Sequence, residues 1–469
     1  MASVRIFRKG ADLVAARASA LHAPRASIGS PLLRRELSSA VRPATRQAPS
    51  TRVATPAAIA PVKAQAVRYA SGSAGPLSKT QLYDLHEAHG AKMVPFAGFS
   101  MPLQYADLSH VESHMWTREK ASLFDVSHMV QHNLSGPGAL EFLMKVTPSS
   151  LDKLAPNTST LSCLLEEGTG GILDDTVITR RSEDTFYFVT NAGRRAEDLA
   201  FLQAEIEAFR AKNGADSLKW DILEDRALVA LQGPLAVNVL QSLINTSAST
   251  AETDLNTLYF GNCRELYITL ADGSASPQPL LISRTGYTGE DGFEISIPTS
   301  ASQTLPQQVV ELLLTDKNTV RLAGLAARDS LRLEAGILPP DAALGWVVGR
   351  ERRDPATANF HGASVILSQL ASPKSLKQRR VGLTIEKGSP AREGAKVVDI
   401  SDPANPVEVG VVTSGLPSPT LGGTNIAMAY VKNGLHKKGT ELGVQVRNKV
   451  RKATVVGMPW IESKFHRPS

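Results

Sequence analysis

The chain holds only two cysteines, Cys163 and Cys263, among 469 residues. Two isolated thiols support neither a disulfide framework nor a cysteine-based metal site, and they suit a reducing compartment. No apolar run reaches the roughly 18 residues that a membrane-crossing helix needs. The glycine fingerprint of a dinucleotide fold is missing, as is the phosphate-binding P-loop. His110-Val111-Glu112-Ser113-His114 departs from the His-Glu-x-x-His zinc signature. His128 and His132 are also four apart, a spacing that separates two side chains on a strand. No metal is expected.

The first 70 residues lack acid. They hold one Asp and one Glu against ten Arg and two Lys, leaving 39 basic and 43 acidic residues for the rest. The overall charge of +6 therefore belongs to the leader. It does not indicate a nucleic-acid partner. A basic, Ser/Ala-rich, acid-poor start reads as a mitochondrial transit peptide over 1–70, with Arg68-Tyr69-Ala70-Ser71 as the cleavage neighbourhood.

The whole chain is 42% hydrophobic and has the length of two or three domains. The pattern predicts helices over Thr80–His89 and Asp107–Ser122. Val130–Val146 reads as strand, Gly-Pro, then apolar helix, and Leu228–Ile244 repeats the arrangement. Phe186–Val189 leads into a helix at Glu197–Phe209. Phe293–Ile297 leads into another at Gln307–Leu314. The expected fold class is α+β, with a duplicated strand–helix core over 76–372. Past Gln378, six short strands punctuated by Gly and Pro predict a small all-β, barrel-like domain over 378–460.

Two strands carry acids among apolar neighbours. In Gly170–Arg180, alternation puts Leu173, Asp175 and Val177 on one face and Asp174 on the other. A carboxylate placed there is either raised in pKa by desolvation or held ionised by a buried cation. Either state suits an amine or a developing cation. In Gly292–Pro298, Glu294 faces away from Phe293 and Ile295, and is either solvated or a pocket acceptor. Tyr287, in the preceding turn, offers a ring or a hydroxyl. A helical stripe over Leu322–Ala335 carries Asp329, with Arg332 one turn on and Arg328 beside it, an arrangement that also suits a plain ion-pair cluster.

These segments resemble the T-protein family of the glycine cleavage system. The resemblance runs from about Leu82 to Trp460. It rests on His89–Gly98, Ser122–Met129, Gly170–Asp175, Arg284–Glu294, Gly324–Gly336, Thr413-Ser414-Gly415 and Ile426-Ala427-Met428. It implies a multi-domain cloverleaf around a central folate site. It implies an aminomethyltransferase of the mitochondrial matrix. Such an enzyme releases ammonia and passes methylene from the lipoyl arm of the H protein to tetrahydrofolate, its co-substrate. By the same resemblance Asp175 is the catalytic aspartate and Glu294 the pterin-binding glutamate. Arg328 and Tyr287 are other folate-pocket positions, and Met129 and Asn191 line the pocket. Phe465 or His466 stands where an aromatic closes the site.

The chain departs from the family after Gly336. A Leu-Tyr-Gly-x-Asp stretch and an acidic loop are missing, and Ile337–Ala343 runs straight to Leu344-Gly345-Trp346. This implies an alternative, a folate-binding form with impaired turnover. Dimethylglycine and sarcosine dehydrogenases share the folate half but need a flavin domain that this chain lacks. The folate-binding group tied to iron–sulfur assembly carries a Lys-Gly-Cys-Tyr motif that is also missing here.

Overall fold

The computed structural model describes residues 75–336 and 344–468. The expected transit peptide and the Ile337–Ala343 connection lie outside the described residues.

Helix α1 (Tyr83–Ala88) leads into a hairpin of β1 (Ala91–Phe96) and β2 (Phe99–Tyr105). Ser109 then caps α2 (His110–Glu119) in a capping box closed by Glu112. The cap starts this helix three residues later than the pattern predicts. Strand β3 (Ala121–Asp125), buried throughout, comes immediately after.

Two sheets form the body. The first takes β4 (Val130–Ser135), β5 (Thr158–Leu165), β6 (Ile172–Arg180), β7 (Thr185–Thr190) and β8 (Lys219–Ile222). Helix α3 (Ala139–Val146) follows β4, and α4 (Arg195–Asn213) follows β7. The second takes β3, β9 (Arg226–Gln232), β10 (Cys263–Leu266), β11 (Leu280–Ser283), β12 (Gly292–Pro298) and β13 (Val320–Leu322). Here α5 (Ala236–Gln241) follows β9, and α6 (Leu305–Leu313) follows β12. The strand orders are β5-β6-β7-β4-β8 and β10-β11-β12-β9-β3-β13. Four consecutive positions thus repeat, each with its helices at the same points. The turn glycines repeat too: Gly136 at φ +117 and Gly233 at φ +132. A Cβ on Gly233 would lie 2.2 Å from the Lys120 carbonyl oxygen, so the close strand–helix turn excludes any side chain there.

Each sheet buries one face under its helices. In the first, Phe142, Leu143, Leu202 and Ile206 pack on Phe186 and Phe188. In the second, Val309, Val310 and Leu313 pack on Phe293 and Ile295. Each fully buried side chain of this size contributes about 1.5–3 kcal/mol. The opposite face of the second sheet is also apolar. Phe124, Leu228 and Ala230 meet Ala327 and Leu331 of α7 (Leu325–Glu334). Helix α7 buries Ala327, Ser330, Leu331 and Glu334. Asp329 does not share that face, contrary to the predicted stripe. It is partly exposed and pairs with Arg332 at 2.6 Å. The helix begins at Leu325 rather than Leu322, which belongs to β13.

After α8 (Ala363–Ala371), a closed barrel is built from β14 (Gln378–Ile385), β15 (Lys396–Asp399), β16 (Val407–Ser418), β17 (Thr424–Lys432), β18 (Glu441–Val446) and β19 (Lys449–Val456). Its order is β14-β17-β16-β15-β18-β19, closed by β14 pairing with β19. Closure removes every free strand edge. Leu383, Val397, Ala429, Leu442 and Val444 fill the interior. On the outside, Leu416, Ile426 and Met428 receive Leu333 of α7. The α+β class and the barrel agree with the reading of the sequence.

The chain end returns to the body. The Trp460 N–H donates to the Glu334 carbonyl at 3.0 Å, and the Lys464 N–H to the Gly289 carbonyl at 2.8 Å. Phe465 stacks on Phe260 at 4.0 Å between ring centres.

Candidate active site

Asp174 and Asp175 sit early in β6, an interior strand flanked by β5 and β7. Asp174 is fully buried and Asp175 half-buried. Asn191, just past the end of β7, ties them together. Its backbone N–H donates to Asp174 Oδ2 at 2.9 Å. Its side-chain Nδ2 donates to Asp174 Oδ1 at 3.0 Å and to Asp175 Oδ1 at 2.9 Å. Burial, and then the neighbouring Asp174, push the Asp175 carboxyl up to about 7, although Asn191 stabilises the anion. Across the sheet, Asp175 faces Cys163 of β5. Burial, followed by Asp175, pushes the Cys163 thiol up to about 12. Asp175 is thus poised to change charge near neutral pH, which is where an acid that stabilises a transient cation is useful.

A second group of side chains comes from the other sheet. Tyr287, between β11 and β12, meets Phe124 edge to face at 5.7 Å. The Arg328 guanidinium of α7 lies 4.6 Å from the Tyr287 ring centre. Glu294 of β12 accepts from Thr285 Oγ1 at 2.8 Å, and burial raises its pKa despite nearby Arg328. Among the described residues, Tyr287 Oη and Arg328 Nε are buried without hydrogen-bond partners. Such groups cost about 1–3 kcal/mol each when left unmet. Clustered together, they fit a polar ligand with an apolar body.

Met129 joins the two groups. It packs with Tyr287 and Val189 in the apolar cluster around Phe124. Val130, the next residue, pairs with Thr190, beside Asn191. Helix α7 forms a second link, because Arg332, one turn after Arg328, lowers the pKa of Asp175. Among the predicted residues, Asp175 and Asn191 are brought into contact, Tyr287 meets Arg328 and shares the Phe124 cluster with Met129, and Glu294 is held by Thr285. Phe465 is placed on Phe260.

Helix α7 is held firmly. His114 Nε2 and Arg118 contact Glu334 at 3.0 and 2.9 Å. Ser418 and Thr420 of the barrel also donate to Glu334. Ser330 bonds His110 and His114, which accounts for that histidine pair without a metal. Among the described residues, no group of three His, Cys, Asp or Glu is arranged to hold a metal ion. No helix described is long and apolar enough to cross a membrane.

Sequence reasoning missed Asp198, which sits buried beside Asp174. Its place in the first turn of α4 gave it the look of an ordinary helix-start acid. His128 was weighed only as one of a histidine pair for a metal. It is buried against Phe96 with neither ring nitrogen partnered.

A doubled α+β body with a C-terminal barrel, built around an acidic corner, also defines the class to which sequence comparison leads. The GCVT N-terminal domain profile matches residues 82–341, and that of the glycine cleavage T-protein C-terminal barrel domain matches 378–462. The chain belongs to the glycine cleavage T-protein family and, with it, to the aminomethyltransferases. It is 44% identical to the mitochondrial aminomethyltransferase of Saccharomyces cerevisiae, over 83% of this chain and 96% of that one. It is 45% identical to the mitochondrial enzyme of Pisum sativum, over 84% and 91%. Like these relatives, it is a mitochondrial protein. The crystal structure of aminomethyltransferase T from Bartonella henselae superposes with a TM-score of 0.70 at 37% identity, over 83% of this chain and 99% of that one.

Proposed function

We propose that this aminomethyltransferase binds tetrahydrofolate between the two groups of side chains and uses Asp175 for the transfer. The aminomethyl group arrives on the lipoyl arm of an H protein in the mitochondrial matrix. Its carbon–sulfur and carbon–nitrogen bonds break. Two carbon–nitrogen bonds to the folate form, ammonia leaves, and the lipoyl sulfur is returned as a thiol.

Each residue has a distinct part. The Glu294 carboxylate accepts paired N–H groups from a pterin edge, a geometry that carboxylates meet well. Arg328 and Tyr287 give that edge a flat wall and two unmet polar atoms. Met129 supplies the apolar side. Ionised Asp175 stabilises positive charge developing on the methylene carbon as the amine departs. Asn191 fixes the direction of that carboxylate. The observation that carries the reading is the acid pair tied by Asn191, half-buried at Asp175, together with Tyr287 Oη and Arg328 Nε, which are buried without partners among the described residues.

Anaerobic calorimetry of the full chain with tetrahydrofolate tests it. Saturable binding, weakened about 10- to 100-fold in Glu294→Ala, is expected for the loss of a charge-assisted pair. Equal binding by both proteins would remove Glu294 from the site. A second reading, binding without turnover, rests on the short connection after Gly336. Methylene transfer by the unmodified chain would exclude it.

A further inference from the structure

The acidic corner holds a carboxyl that the reaction above does not use. Asp198 is buried in the first turn of α4. Among the described residues, neither of its oxygens meets a hydrogen-bond donor. Its α4 packs on β6, and the Asp174 carboxyl of that strand is the charged group that acts on it most strongly. Arg194, the nearest cation, turns its guanidinium to the Leu173 carbonyl and to Glu197. Two buried carboxylates side by side cannot both be ionised, whereas one proton between them turns repulsion into a hydrogen bond.

The geometry decides which acid carries the proton. Asp174 already accepts from two N–H groups of Asn191. Such donors favour the anion. Asp198 accepts from none. We infer that Asp198 is a positioning residue, protonated in the working enzyme, which donates to Asp174 and so keeps Asn191 aimed at Asp175.

The Asn191 amide has two hydrogens, and each acid on β6 takes one. If Asp174 lost its anionic state, the amide would lose one anchor and could turn from Asp175. Burial and Asp174 together push the Asp198 carboxyl up to about 9. The charged groups facing the pair are Arg194 and Glu197 at the start of α4 and Asp175 on β6. Asp175 in turn faces Cys163 on β5 and Arg332 on α7.

This inference rests on the proposed reaction for its kinetic arm only. Full-length wild type, Asp198→Asn and Asp198→Ala are compared for methylene transfer from pH 6 to 10. The amide of Asp198→Asn keeps a donor toward Asp174 at every pH. It should hold kcat within about threefold at pH 8 and lose the alkaline decline near pH 9. Asp198→Ala should lower kcat at least about tenfold with little change in the KM for tetrahydrofolate. Equal losses in both variants, or none in Asp198→Ala, would overturn the assignment.

The second arm needs no turnover. Between pH 7 and 9 the folded wild type keeps a proton that its unfolded chain has released. Its folding equilibrium should therefore weaken, relative to Asp198→Asn, by up to about tenfold per pH unit. Parallel curves for the two proteins would overturn the proposal. A wild type that neither binds folate nor turns over would count against the proposed function, and the stability arm would still decide this inference.

Discussion

Two clusters of buried acid in this molecule behave in opposite ways. At the junction of α7 with the barrel, Glu334 is surrounded by donors. Burial alone would raise its carboxyl, but His114, Ser418 and Thr420 outweigh that and hold it at about 2. At the corner of β6, Asp175 has one amide for company, and burial pushes it up to about 7. The same chemical group serves as a fixed anion in one place and as a titrating one in the other. Cations and hydroxyls make the difference. The acid that holds structure is surrounded by them, whereas the acid proposed to receive a transient cation has only the Asn191 amide as a side-chain hydrogen-bond partner among the described residues.

Glu334→Ala should break the first cluster most severely. It removes the carboxylate that His114, Arg118, Ser418 and Thr420 share and leaves Arg118 with Glu290 and the Thr288 carbonyl alone, and breaking such a buried pair costs about 3–5 kcal/mol. Urea unfolding measures the loss, and a loss within about 0.5 kcal/mol would show that the junction carries no structural load. Asp175→Asn should do the reverse. Turnover should fall about 10²- to 10³-fold, some 3–4 kcal/mol of barrier, while the thermal midpoint at pH 8 holds or rises. A variant that unfolds as it loses activity would make the two clusters alike.

The pH dependence sharpens the contrast. Glu334 lies below its usual value of 4.5, so its stabilisation is complete above that pH and is lost as pH falls toward about 2. Asp175 lies above its usual 3.8, so its contribution to stability is fully present below that pH and is lost as pH rises through about 7. Activity should climb over this same interval, by up to about tenfold per unit below pH 7, because the anion does the work. A rate profile flat from pH 5.5 to 8 would separate Asp175 from the chemistry. The smallest effect concerns Cys163. Iodoacetamide at pH 8 should leave it unmodified in the folded chain, since burial and Asp175 disfavour the thiolate. Labelling as fast as in urea would show that the corner is open to solvent.

Much of this architecture is set by local pattern. The barrel strands are short runs punctuated by Gly and Pro, and that punctuation places them even where a strand such as β17 is buried along most of its length. The Gly-Pro turns after β4 and β9 mark the duplication because a tight turn and a helix start both constrain residue type. Asp175 stands out because its neighbours on β6 are apolar. Sheet order is less accessible. Strand β13 joins β3 in parallel across about 200 intervening residues, and no short-range signal encodes such a pairing. Asp329 was misplaced because Leu322 belongs to β13 and the face that α7 buries carries polar Ser330 and Glu334 beside Ala327 and Leu331, which an apolar stripe does not mark. Asp198 was invisible because its partner lies on another element, and a buried acid pair leaves no mark on either segment alone.

The segment from Trp460 to His466 works as a clasp. Its backbone N–H groups tie the last turn of α7, at Glu334, and the turn at Gly289 to a stretch that follows the barrel in sequence. A proteolytic cut just before Trp460 would leave every strand of both sheets and the barrel in place and undo both ties at once.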